Sequence, residues 1–174
     1  LVYEQAIAIA VPGDQDGLQI KLAKAESQAG DPGSAITTLL TLYETSTSDY
    51  IKSQSNFLLG QIYLEQGLPD QAYARFQDSV AKYPRFYDTY SGLVVLVESG
   101  QPVNDLMRGI IDYFAGQYGV ATEALDRYMK ANPEHDGTSH YYKALSLYEM
   151  GDYEGEITEW DLLIQDHPTD PFLA

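Results

Sequence analysis

At 174 residues the chain can bury one sizeable core or supply about five helical pairs, and its formal charge of −16 argues against a nucleic-acid backbone or an anionic membrane surface as partner, since both are bound through Lys and Arg. Zero Cys removes disulfides, thiolate metal sites and cysteine nucleophiles together. No apolar run approaches the roughly 20 residues that span a bilayer, and no charged-then-apolar leader is present. Neutral or basic partners stay open. A Cys-free, acidic composition rich in Tyr, Gln, Ser and Thr leans toward a periplasmic or cell-envelope location over a cytoplasmic one without fixing either.

Leu1 to Val11 has helical spacing through Val2, Ala6, Ile9 and Ala10 and ends at Pro12-Gly13, as the closing helix of a repeat does. The chain lacks an initiator Met and opens inside a partial repeat (1–15), so it reads as a fragment of something longer. The expected pair over 16–52 has an opening helix with Leu18, Leu22, Ala23 and Ala25, a turn at Gly30-Asp31-Pro32, and a helix with Ala35, Ile36, Leu39 and Leu42. Ser48 or Asp49 is the expected N-cap of the helix that follows.

Residues 53–86 hold the clearest unit. Leu59, Ile62, Tyr63 and Phe76 recur at helical steps, while Gly60 and Ala72 are small where two helices could approach closely. Gly67 has the backbone freedom to end the first helix and Pro84 stops the second. Gly30, Ala35 and Leu39 lie 37 residues before Gly67, Ala72 and Phe76. The unit resembles the tetratricopeptide repeat in its Leu-Gly-x-x-Tyr, Gly, Ala, Phe and Pro landmarks; it departs in Asn56, where Trp is usual, and in Ser79, where Ala is commoner. The resemblance implies an all-α fold, with helix-turn-helix repeats stacked as a right-handed α-α superhelix around one continuous core.

The next equivalent Pro after Pro84 is Pro133, 49 residues on, which predicts one inserted helix over 87–101. Its Leu93-Val94-Val95-Leu96-Val97 run has strand propensity, but a lone strand among helices would have no pairing partner. The pattern returns over 102–136 (Gly109, Gly116, Tyr118, Ala121, Leu125) and over 137–170 (Ala144, Gly151, Tyr153, Trp160, Pro168). Arg108 and Lys143 take usually apolar places and Glu156 replaces a small Ala, so looser packing is expected in the last pair. Trp160, equivalent to Phe76, is expected in the core, where truncation to Ala would cost roughly 3–5 kcal/mol. Asp170-Pro171-Phe172 resembles the start of a further helix. All of this is read as a single repeat domain over 1–174.

Chemistry is sparse. His135 and His140 flank Asp136 at a helix entry and His167 precedes Pro168 at a helix exit, a spacing unlike a zinc signature; the expectation is solvated His beside a helix capped by Asp136 or Thr138. Asp14-Gln15-Asp16-Gly17 opens like a calcium loop, but Leu18 sits where an oxygen ligand belongs and no closing Glu follows, so a turn is expected. Asp152, Glu154 and Glu156 belong at a turn and helix start, where they complement the helix dipole. No nucleophile elbow, phosphate loop or dinucleotide fingerprint occurs. No metal, cofactor or catalytic residue is assigned, and no enzyme activity is expected within these residues.

The resemblance places a ligand face on the opening helices. It falls on Ile20, Lys24 and Gln28; on Phe57, Gln61, Leu64 and Glu65; on Leu106, Ile110, Tyr113 and Phe114; and on Tyr141, Leu145, Tyr148 and Glu149. Members of the family that clamp a peptide carboxylate use Lys, Arg and Asn on this face, and Lys24 alone could serve, which rejects that specificity. The aromatic residues could equally bind a partner or pack against neighbouring repeats.

Residues 108–118, from Arg108-Gly109-Ile110 to Gly116-Gln117-Tyr118, with Gly151-Asp152-Tyr153, Ile157, Trp160 and Leu163-Ile164, also resemble the helical repeat region of bacterial soluble lytic murein transglycosylases. That likeness implies a scaffold that meets peptidoglycan only through a parent enzyme, whose catalytic Glu-Ser and Gly-Leu-Met-Gln motifs are absent here. The expectation is therefore a non-enzymatic scaffold that binds protein or peptide in a concave face, with the glycan-cleaving scaffold, and simple structural spacing, as alternatives.

Overall fold

Phe76 shows how these helices come together. Its ring, 1% exposed, lies between two glycines of neighbouring helices, and a Cβ on either Gly60 or Gly92 would run into it. Large residue against glycine sets a close helix-helix approach, and the same device recurs where Gly109 faces Leu125.

The computed structural model describes residues 2–173. These form α1 (Val2–Ile9), α2 (Pro12–Gln28), α3 (Pro32–Thr45), α4 (Asp49–Glu65), α5 (Pro69–Lys82), α6 (Tyr87–Glu98), α7 (Asp105–Phe114), α8 (Tyr118–Ala131), α9 (Thr138–Met150), α10 (Tyr153–Asp166) and a short 3-10 turn, Pro171–Leu173. There is no strand among the described residues, and the Val-rich stretch is helical as α6. The chain divides into two compact units, 1–101 and 102–174.

Turn chemistry fixes the pairs. Gly30, Gly67, Gly100, Gly116 and Gly151 follow helix ends with φ between 68° and 82°, a left-handed conformation that costs glycine nothing. At the second of these, Leu68 N–H donates to Tyr63 O at 2.8 Å, closing the helix with a six-residue loop back. Proline opens α2, α3 and α5, where its missing N–H is harmless. Asp31, Ser48, Asn104 and Asp152 accept first-turn N–H groups as N-caps.

The start of α2 differs from the sequence reading. Pro12-Gly13 begins α2 instead of ending α1, so Asp14-Gln15-Asp16-Gly17 is helical and not a turn. Asp16 accepts from Ser46 Oγ at 2.6 Å, tying the start of α2 to the end of α3.

In the first unit each helix packs on the next, and α4 also touches α2 on one side and α6 on the other, making a layer of opening helices backed by α3 and α5. Helix α6 thus takes the place of a third opening helix. In the second unit α7 and α9 form the corresponding layer, backed by α8 and α10.

The departures from the repeat pattern compensate one another. Buried Asn56 donates to Asp78 Oδ2 at 2.8 Å and to Ser79 Oγ at 3.1 Å, so the two atypical residues of the central unit are partners. Tyr43 of the preceding pair donates to the same Asp78 oxygen at 2.6 Å, and Lys82 pairs with Oδ1 at 2.6 Å. Burial pushes the Asp78 carboxyl up, but Lys82, Tyr43 and Asn56 together hold it below the usual carboxylate range. Lys143 is satisfied likewise, 2.7 Å from both Asp126 and Glu159.

Helix α10 of the last pair buries little of its apolar surface. Ile157 and Ile164 are exposed, and Leu163 is the buried apolar side chain of α10. Trp160 is half-buried and not a core residue: it packs edge-on to Tyr141 and donates from Nε1 to Glu156 at 3.1 Å. Its indole N–H needs an acceptor, and Glu156, standing where a small Ala would let helices close, holds the ring toward the surface.

Candidate functional site

The opening-helix layer of the first unit leaves a hollow of about 330 Å³, lined by α2, α4 and the start of α6. Lys24 and Gln28 stand on one wall, Phe57, Gln61 and Glu65 on another, and Asp88 at the edge. Five of these six were assigned to the ligand face from sequence. Phe57 rests on Phe76 with ring centroids 6.0 Å apart, so its position is set by the core. Burial raises the Asp88 carboxyl while the nearby Lys24 charge opposes that shift. Leu64, also assigned to the face, is half-buried outside this lining, and Ile20 is buried in the core.

The second unit treats the equivalent residues differently. Tyr113 packs on Phe114 at 5.2 Å and on Tyr142 at 5.5 Å, and Tyr141 packs on Tyr142 at 5.3 Å. Phe172, from the closing 3-10 turn, stacks on Tyr141 at 3.9 Å and 14°. Ile110 is buried, whereas Leu106 and Leu145 are half-buried and Tyr148 and Glu149 exposed. These aromatic rings cover one another. Sequence reasoning missed Asp88 and Phe172, because each comes from an element outside the paired repeats.

A second cluster lies where α8 ends, α9 begins and α10 ends. His135, His140 and His167 each offer a ring nitrogen within 4.8 Å of the others. His140 is buried, with Nδ1 at 2.7 Å from Glu159 Oε2, which corrects the expectation that all three are solvated. The cap residue of α9 is Gly137 and not Asp136 or Thr138, although Asp136 Oδ1 accepts from Thr138 N at 3.0 Å from one residue before the cap.

Stacked helix pairs, glycine-closed turns and a shared opening-helix layer within each unit define a helical-repeat protein. The comparisons give the family: residues 20–88 and 106–171 match the family model of the tetratricopeptide repeat, and the chain belongs to that family. No curated protein and no solved structure matches it. Such repeats generally build scaffolds for protein–protein interaction. No helix among the described residues is long and apolar enough to cross a membrane.

Proposed function

We propose that the chain is a non-enzymatic scaffold that takes a neutral or basic peptide segment of a partner protein in the opening-helix hollow of its first unit. The observation that carries this reading is the hollow itself, where an aromatic floor residue, Phe57, lies among amide and charged groups from Lys24, Gln28, Gln61 and Glu65. An apolar anchor ringed by polar groups suits a peptide: the ring buries a side chain and the amides meet the peptide backbone. The chain's charge of −16 disfavours acidic segments by long-range repulsion. No comparison adds to the narrower resemblance to murein transglycosylases.

Selecting a displayed random-peptide library on the folded chain tests the proposal. Enriched peptides should be neutral or basic, and the Phe57→Ala and Gln61→Ala variants, checked for unchanged helicity, should bind them at least about tenfold more weakly, a change of about 1.4 kcal/mol. Acidic peptides, or equal binding by both variants, would overturn it.

A further inference from the structure

We propose that His135, His140 and His167 form a three-histidine site for a divalent first-row transition metal, with Zn²⁺ as the fitting ion. The three residues come from different places: His135 from the loop after α8, His140 from the first turn of α9, and His167 from the residue that caps the end of α10. Their ring centroids are 5.1, 5.1 and 5.7 Å apart.

Hydrogen bonding sets two of the rings for ligation. His140 Nδ1 faces a carboxylate, Glu159 Oε2, at 2.7 Å, and His135 Nδ1 faces the backbone oxygen of Asp136 at 2.8 Å. A carboxylate and a carbonyl only accept, so in each neutral ring Nδ1 carries the proton and Nε2 keeps the lone pair. A ligand imidazole held from behind by a carboxylate or backbone carbonyl is the arrangement metal sites use to fix tautomer and direction. Glu159 is itself positioned by Lys143, whose Nζ lies 2.7 Å from its Oε1. His167 has no hydrogen bond to its ring among the described residues, which leaves both nitrogens open.

The backbone around the cluster is fixed. Gly137 N–H donates to Asp170 Oδ2 at 2.9 Å, joining the loop that carries His135 to the turn that follows His167. That approach is close enough that a Cβ on Gly137 would run into Leu163 and Asp170. Zn–N bonds of about 2.0–2.1 Å in a tetrahedron put ligand nitrogens about 3.3 Å apart. Against the 4.8 Å span, the rings need to draw in by roughly 1–1.5 Å, within reach of side-chain rotation. His135 and His167 also line an open hollow beside Glu134 and Asp166. Three imidazoles with the fourth position open to water form an accessible site, unlike a closed structural one, and imidazole nitrogen suits Zn²⁺, Ni²⁺ and Cu²⁺ over Mg²⁺ or Ca²⁺.

The experiment is titration of the full chain, free of any polyhistidine tag, with Zn²⁺ by calorimetry and with Co²⁺ by visible absorption. One saturable equivalent, with the intensified absorption of four-coordinate Co²⁺, is expected. His135→Asn and His167→Asn lie in loops and should keep wild-type helicity while losing that equivalent. Glu159→Gln should keep it with affinity reduced about 10–100-fold. No saturable uptake, or uptake unaffected by either His substitution as acidic surface groups would give, overturns the site.

Discussion

The two units use corresponding helix faces in opposite ways. In the first, α2, α4 and α6 stand around a hollow whose floor, Phe57, rests on a core ring. In the second, the face of α7 and α9 is filled by its own Tyr and Phe side chains, with Phe172 laid over Tyr141. The same repeat geometry yields a cleft or a packed patch according to what stands next to it. A third opening helix with polar edges leaves room, whereas a turn bearing an aromatic residue closes it.

Breaking the first unit should have the largest effect. Phe76→Ala removes the ring that both glycines grip and on which Phe57 rests, and should cost about 3–5 kcal/mol in urea denaturation while abolishing peptide binding in the hollow. A loss near zero would mean that the hollow does not rest on the core.

An intermediate effect lies in the second unit. Asp112 is 4% exposed and its Oδ2 has no hydrogen bond, with Arg108 Nε 3.6 Å away. Burial pushes its carboxyl from the ordinary 3.8 up to about 6, against the pull of Arg108. A folded-state value above the unfolded one means that the folded chain binds the extra proton. This contribution is complete below pH 4 and is lost as pH rises through about 6. Asp112→Asn should therefore be about 1–2 kcal/mol more stable than wild type at pH 7.5, with the difference vanishing near pH 3.5. Paired denaturation curves across that range check it, and a constant difference would refute the assignment.

The smallest effect sharpens the contrast. Phe172→Ala uncovers one face of Tyr141 and should cost only about 0.5–1.5 kcal/mol, the worth of a stacked pair, with a change in the near-ultraviolet dichroism of the tyrosines. If no tyrosine signal changes, the packed patch does not depend on the closing turn.

Much of the architecture was legible in the sequence because the turns carry it. Gly30, Gly67, Gly116 and Gly151 are demanded by left-handed backbone, and Gly60 was placed at a close helix approach by its spacing, although the ring it admits, Phe76, is paired with it only in the structure. Lys24, Gln28, Phe57, Gln61 and Glu65, which the family resemblance assigned to one face, line the hollow of the first unit. Trp160 was misjudged because register assigns a direction, while Glu156 draws the indole outward. The histidine cluster was invisible: His167 stands 27 residues beyond His140, and only the antiparallel pairing of α9 with α10 brings the start of one helix beside the end of the other.

The hydrogen-bond chain through Asn56 bears on modularity. Because Tyr43 of one helical pair and Asn56 of the next converge on the same carboxylate, Asp78, the pairs of the first unit are not interchangeable bricks. Transplanting the 49–82 hairpin into another array without a tyrosine at the Tyr43 position would remove one of that carboxylate's donors, and replacing its Ser79 would strip a partner from a buried amide. Neighbour order is thus written into side chains hidden from solvent, and any graft of this hairpin must carry Tyr43 along with it.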